Sequence, residues 1–200
     1  MRYRFVLFAF AALLVLSSCF IRSSLNFSNS MTDKLPNELL NPGFESAGKD
    51  LRSAFRGWDI GIDPPDGKGT VVSIDTQVRK EGASSLRVNA SDNGVLIYSD
   101  AFDVARYEGY LVRASARSTS PEKPQITLRF ICFKENGKIA NNYRKKLKTS
   151  EDWKEAQISA GFLRPGVQSG RVAILVPPFK DGSVWIDATG CWNVHHFRID

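Results

Sequence analysis

Two runs of strict alternation, residues 110–117 and 126–133, limit what this chain can fold into more than any other feature. Successive side chains of an extended strand point to opposite faces. Tyr110, Val112, Ala114 and Ala116 therefore share one face, and Leu111, Arg113, Ser115 and Arg117 share the other. The second run sets Ile126, Leu128, Phe130 and Cys132 against Thr127, Arg129, Ile131 and Phe133. No segment carries the 3.6-residue apolar period of an amphipathic helix. Shorter apolar runs at 71–74, 85–88, 95–98, 102–104, 153–158, 171–176 and 184–187 bring the expected total to about eight to ten strands. Asn136-Gly137 follows the second long run and predicts a hairpin with a type I′ turn. Pro64, Pro65, Gly67 and Gly69 forbid a helix or central strand in their segment, which predicts a surface loop. The expected fold class is all-β: an antiparallel β-sandwich.

The start of the chain reads differently. Arg2 and Arg4 precede an unbroken apolar run from Phe5 to Leu16. As a helix at ~1.5 Å per residue that run reaches ~18 Å, short for a ~30 Å hydrocarbon core, so it reads as an export signal rather than a permanent span. Leu16-Ser17-Ser18-Cys19 resembles the bacterial lipobox, which implies cleavage before Cys19 and lipidation of its thiol. The expected organisation is a signal peptide at 1–18, a lipidated Cys19 with a flexible Ser/Asn-rich tether over 19–38, and one sandwich domain over 39–200. Such a protein sits in the bacterial cell envelope, anchored to a membrane at the outer membrane or cell surface.

Charge and reactive residues narrow the function. The formal charge is +6, two of it from Arg2 and Arg4 in the leader, and no Lys/Arg run is long enough for a nucleic-acid arm. The densest cluster, Arg144, Lys145, Lys146 and Lys148, reads as a solvated strand end or loop, so nucleic acid is not an expected partner. The only histidines, His195 and His196, are adjacent and would point to opposite sides of a strand. No serine lies in a nucleophile elbow and no His/Cys spacing suits zinc, so the chain is expected to be non-catalytic. Chemistry by carboxylates alone stays open. With Cys19 lipidated, Cys132 and Cys191 either form a disulfide or serve as small buried hydrophobes.

The series Asn41-Pro42-Gly43-Phe44-Glu45, Gly57-Trp58, Gly82 to Leu86, the 110–117 strand, the Asn136-Gly137 turn, Trp153-Lys154 and Val184 to Asp187 resembles the jelly-roll carbohydrate-binding modules of the galactose-binding-like superfamily, families 4, 9, 16 and 22 in particular. The resemblance spans about residues 39–192. It implies a structural calcium held by the Gly43 carbonyl, the Glu45 carboxylate, a carbonyl near Lys80 or Gly82, and Asp187. Ala188 stands where the family often has a second acid. It also implies a sugar site built from aromatic platforms and planar polar groups. Trp58, Tyr98, Tyr143 and Trp185 are the candidate platforms. Arg113, Arg117, Arg129 and Phe133 are expected on matching faces of neighbouring strands, where arginine forks suit an acidic polysaccharide. The implied function is non-catalytic binding of a polysaccharide or oligosaccharide by an envelope lipoprotein. A structural or adhesive lipoprotein with a protein partner is the other reading.

Overall fold

The computed structural model describes residues 25–45, 55–63 and 71–198. The leader, Cys19 and most of the proline-rich loop lie outside the described residues. Eleven strands run in chain order: β1 (Trp58–Asp63), β2 (Val72–Asp75), β3 (Ser85–Ser91), β4 (Gly94–Ser99), β5 (Phe102–Asp103), β6 (Glu108–Ser118), β7 (Gln125–Lys134), β8 (Ile139–Lys148), β9 (Lys154–Ala160), β10 (Val167–Val176) and β11 (Phe179–His196). They form two antiparallel sheets. One has the order β1-β4-β10-β7-β8 with β5 beside β10, and the other is β2-β3-β11-β6-β9. A short 3-10 helix, Asn29–Thr32, is the one helical element among the described residues.

The core lies between the sheets and follows the alternation. Val112, Ala114 and Ala116 of β6, Leu86 and Val88 of β3, and Val184 and Ile186 of β11 face Ile126, Leu128 and Phe130 of β7, Ile97 of β4, and Val172 and Ile174 of β10. Each Val, Leu, Ile or Phe among them contributes about 1.5–3 kcal/mol when fully buried. Tyr110 and Phe130 meet across the layers with ring centroids 5.5 Å apart. The Tyr110 hydroxyl donates to Glu108 Oε2 at 2.6 Å and accepts from the Ala105 amide at 2.9 Å, so its polar end is satisfied inside.

Five features depart from the sequence-based expectations or decide between readings they left open. First, β6 and β7 follow one another but belong to opposite sheets, because the 119–124 connection, carrying Pro121 and Pro124, crosses from one layer to the other. Second, the tether boundary moves. The Phe27 amide donates to Ser159 Oγ at 3.0 Å, Gln157 Nε2 donates to the Phe27 carbonyl at 2.6 Å, and Asn29 Nδ2 reaches Glu155 at 3.0 Å. Farther on, the Glu38 amide donates to the Cys191 carbonyl at 2.8 Å, and the Cys191 amide donates to Asn37 Oδ1 at 3.0 Å. Residues 25–42 thus form a strap packed on the sandwich from Leu25 onward, not a loose tether ending at 38. Third, Cys132 and Cys191 are free and buried, so the disulfide is absent and both act as small hydrophobes. Burial pushes the Cys132 thiol up to about 12 and the Cys191 thiol well above its usual value.

Fourth, the hairpin after β7 is not a type I′ turn. Only Gly137 has positive φ, at 74°; the Gly137 amide donates to Lys134 O and the Lys134 amide to Lys138 O, both at 2.9 Å. That is a three-residue loop with a glycine bulge, which asks left-handed backbone of one residue rather than two. Fifth, β1 and β8 are additional strands, and β11 continues nine residues past Asp187 to His196. The cationic run of β8 is therefore an edge strand.

Candidate functional site

Each sheet has an outer face, and the two differ in access. Over the five-stranded sheet the strap crosses β9, β6 and β11, and it leaves the outward-facing Leu111 with no exposure. Farther along β6, Arg113 lies 4.7 Å above the Trp192 ring and Arg117 5.6 Å above Trp185. Arg87 takes the same Trp185 ring at 5.5 Å, and the Trp185 indole N–H donates to Asp75 Oδ2 at 2.9 Å. The Nε atoms of Arg113 and Arg117 are buried against these indoles without a hydrogen-bond partner. Trp185 and Trp192 are 5% and 6% exposed, too covered to stack on a ligand. Arginine stems and indoles here make a packed layer, which corrects the placing of Arg113 and Arg117 beside Arg129.

The outer face of the six-stranded sheet carries no such cover among the described residues. Strand register sets its rows. Asp59, Tyr98, Ala173, Arg129 and Arg144 lie side by side across β1, β4, β10, β7 and β8. On one side of that row come Gly61, Leu96, Leu175, Thr127 and Lys146; on the other come Arg171, Ile131 and Asn142. Ala173 and Ile131 are buried beneath the larger side chains of this face, between the half-buried Tyr98 and Arg129. Leu175 is 38% exposed, so the face offers apolar surface as well as donors. Arg129 Nε donates to Asn142 Oδ1 at 3.3 Å, and Arg171 stands 3.8 Å from the exposed Asp59 carboxylate. Phe133 lies on this side too, opposite Ser169 of β10.

The other expected platforms are elsewhere. Trp58 is a core residue, 5% exposed, packed 4.9 Å from Phe44, with its indole N–H on the Asn41 carbonyl at 3.0 Å. Tyr143 turns inward against Phe130 at 6.2 Å, and burial raises its hydroxyl above the usual range. Of the residues expected to form one sugar site, Tyr98, Arg129 and Phe133 share a face, whereas Trp58, Tyr143, Arg113 and Arg117 do not join them. Ala173, Arg171, Arg144, Asn142 and Leu175 complete the face and were not expected. The alternation of 171–176 could have suggested Arg171 and Ala173. The Arg144 cluster, read as loop or strand end, gave no hint of a face.

The four residues of the implied calcium site converge on one turn. A Cβ on Gly43 would stand 3.1 Å from Glu45 Oε1, and one on Gly82 only 1.8 Å away, so both glycines crowd that carboxylate. Glu45 accepts from the Ala83 amide at 3.0 and 3.1 Å and from the Ser84 hydroxyl at 3.1 Å. Asp187, fully buried, accepts from the amides of Lys80, Glu81 and Ala188 at 2.7, 3.0 and 2.6 Å. Burial raises its carboxyl above the ordinary carboxylate range; the three amides oppose this, and the Glu45 charge adds to it. Two hard-oxygen acids near enough to repel suit calcium in kind. No group of three or more His, Cys, Asp or Glu that could hold a metal occurs among the described residues.

No protein-family profile and no curated protein matches the sequence. Solved structures do match in shape. A family 61 carbohydrate-binding module in complex with β-1,4-galactotriose superposes with a TM-score of 0.59 at 16% identity, covering 79% of this chain and 99% of the module. A family 16 module gives 0.57 at 13% identity over 78% of this chain and 99% of its own. The family 22 xylan-binding domain from Paenibacillus barcinonensis gives 0.50 at 13% identity over 80% and 97%. The class these define is the antiparallel jelly-roll sandwich. At such identities the likeness is one of fold, and these neighbours in fold are carbohydrate-binding modules.

Proposed function

We propose that this protein binds carbohydrate without catalysis, along the outer face of the six-stranded sheet. The observation that carries the reading is that the strap and the Trp–Arg layer cover one sheet face, while no other described segment crosses the outer face of the six-stranded sheet. This face has a half-buried aromatic at Tyr98, exposed apolar surface at Leu175, and planar donors or acceptors at Arg129, Asn142 and Arg171. Aromatic faces take pyranose rings and forked donors take hydroxyls. The fold neighbours, whose ligands include a galactotriose, support this reading. The lipobox adds anchoring of the mature chain to a bacterial envelope membrane through Cys19. Calcium would be held by Glu45 and Asp187 with the carbonyls of Gly43 and Gly82, and when bound it would neutralise two repelling acids at the start and end of the sandwich.

A screen of the mature chain carrying Cys19→Ser against soluble and insoluble glycans, with and without chelator, tests the proposal. Saturable binding lost in Tyr98→Ala supports it. Binding to no glycan in either condition, with a folded protein, would leave the adhesive, protein-binding role as the better account. A rise in thermal midpoint with added calcium, reversed by chelator, tests the cation separately from the sugar.

A further inference from the structure

The open face has an electrostatic feature that a neutral-sugar site does not require. Arg129 of β7 and Arg144 of β8 lie directly opposite one another in the antiparallel register. Directly opposed residues have Cβ atoms ~4.5–5.5 Å apart, and like charges so placed are destabilising. Neither guanidinium is paired with an acid among the described residues. The ion pairs among the described residues are Lys80–Glu155, Arg87–Asp75 and Arg171–Asp59, and the one side-chain partner of Arg129 is the neutral Asn142. Lys146 follows on the same outward row system, opposite Thr127. Two acids of this face, Asp59 on β1 and Asp103 on β5, stand at the opposite margin, and Asp59 is already engaged by Arg171. Cations on an edge strand also discourage edge-to-edge pairing of sheets. That role asks only for charge on β8, however, and does not account for Arg129 facing Arg144 from the interior strand.

We infer that the face selects glycans bearing an anionic group, a carboxylate or sulfate, seated on the Arg129–Arg144 pair while a neighbouring ring stacks at Tyr98. Two forks side by side match the oxygens of one such anion, and binding it removes their mutual repulsion. Tyr98 and Arg129 are separated by β10 alone, two strand spacings or ~9.6 Å, a span suited to a disaccharide lying across that strand. The inference rests on the reading of this face as a glycan site and names the ligand chemistry that site takes.

The mature Cys19→Ser chain is titrated with polygalacturonate, its methyl-esterified form, chondroitin sulfate, neutral β-1,4-galactan and duplex DNA, at low and moderate salt. The expected result is binding of at least one of the two acidic glycans, about tenfold tighter than the esterified or neutral chains and weakening with salt. Arg129→Gln with Arg144→Gln removes that preference and, by relieving the repulsion, raises the thermal midpoint slightly rather than lowering it. Lys34→Gln with Lys154→Gln, an equal loss of charge at exposed positions off the face, keeps it. Equal affinity for esterified and free polygalacturonate overturns the acidic selectivity while the glycan reading stands. Binding to no glycan overturns both. DNA binding as tight as the acidic glycans, lost in the same double variant, overturns it in favour of a general polyanion surface.

Discussion

Gly82→Ala isolates the contact that ties the first segment of the domain to its last strand. Gly82 has φ +62°, a left-handed conformation, and a Cβ there would lie 1.8 Å from Glu45 Oε1. The backbone part of the penalty is about 1–2 kcal/mol. Displacing the Glu45 carboxylate also breaks its hydrogen bonds from the Ala83 amide and Ser84 hydroxyl, and bonds to a charged group contribute about 1.5–3 kcal/mol. With the equivalent of one such bond lost, Gly82→Ala is predicted to cost about 2.5–5 kcal/mol, or a fall of about 5–20 °C for a chain of this size. Gly137→Ala is the internal reference. Its φ is +74° with nothing within 4 Å of the added Cβ, so it carries the backbone penalty alone. Urea unfolding of both variants, repeated in a Glu45→Ala background, gives a double-mutant cycle. The cost of Gly82→Ala is expected to shrink there to that of Gly137→Ala. An undiminished cost would refute the idea that the carboxylate is what the glycine accommodates.

Other expectations follow from the same geometry. Burial pushes the Asp75 carboxyl up, but the Trp185 indole, the Val78 and Gln77 amides and the Arg87 guanidinium more than offset it, so its folded value lies below the ordinary 3.8. Its contribution is then complete above that value and is lost as pH falls through the folded one. Asp75→Asn should lose about 1.5–3 kcal/mol at pH 7, with the gap to wild type closing in acid, as urea unfolding across pH would report. Thiol titration of the Cys19→Ser chain should show no reactive thiol when native and two when denatured, because Cys132 and Cys191 are free and buried. Trp58→Ala should cost about 3–5 kcal/mol of stability through loss of its packing on Phe44. Tyr98→Ala should leave the unfolding midpoint nearly unchanged while weakening glycan binding, a contrast visible in one calorimetric series.

Much of the sandwich is legible in the sequence because alternation reports which residues of a strand share a face. Val112, Ala114 and Ala116 alternate onto one side of β6, and that side faces the core between the sheets. Alternation does not say which sheet a strand joins. Placing Arg113 and Arg117 beside Arg129 assumed that consecutive strands pair, whereas the chain changes layers between β6 and β7. The same limit hid the strap. Its hydrogen bonds run from isolated polar side chains, Asn29 and Asn37, to residues more than a hundred positions away, and no local period marks such contacts. Trp58 and Tyr143 illustrate a third limit. An aromatic with a polar atom suits a sugar platform or a core with a hydrogen-bond partner, and here the Asn41 carbonyl and the inward face of β8 decided for the core. Glu45 and Asp187 were legible as a pair because both belong to short, ordered motifs; the peptide amides that receive them were not.

The most direct test of the account is to map a bound oligosaccharide onto the two sheets by backbone amide NMR shifts in the mature Cys19→Ser chain. Saturable changes clustered at Tyr98, Arg129, Arg171, Ala173 and Arg144, with residues 185–192 and the strap unmoved, are the predicted result. Changes centred on Trp185, Trp192 and Arg117 instead, with the Tyr98 row silent, would contradict it.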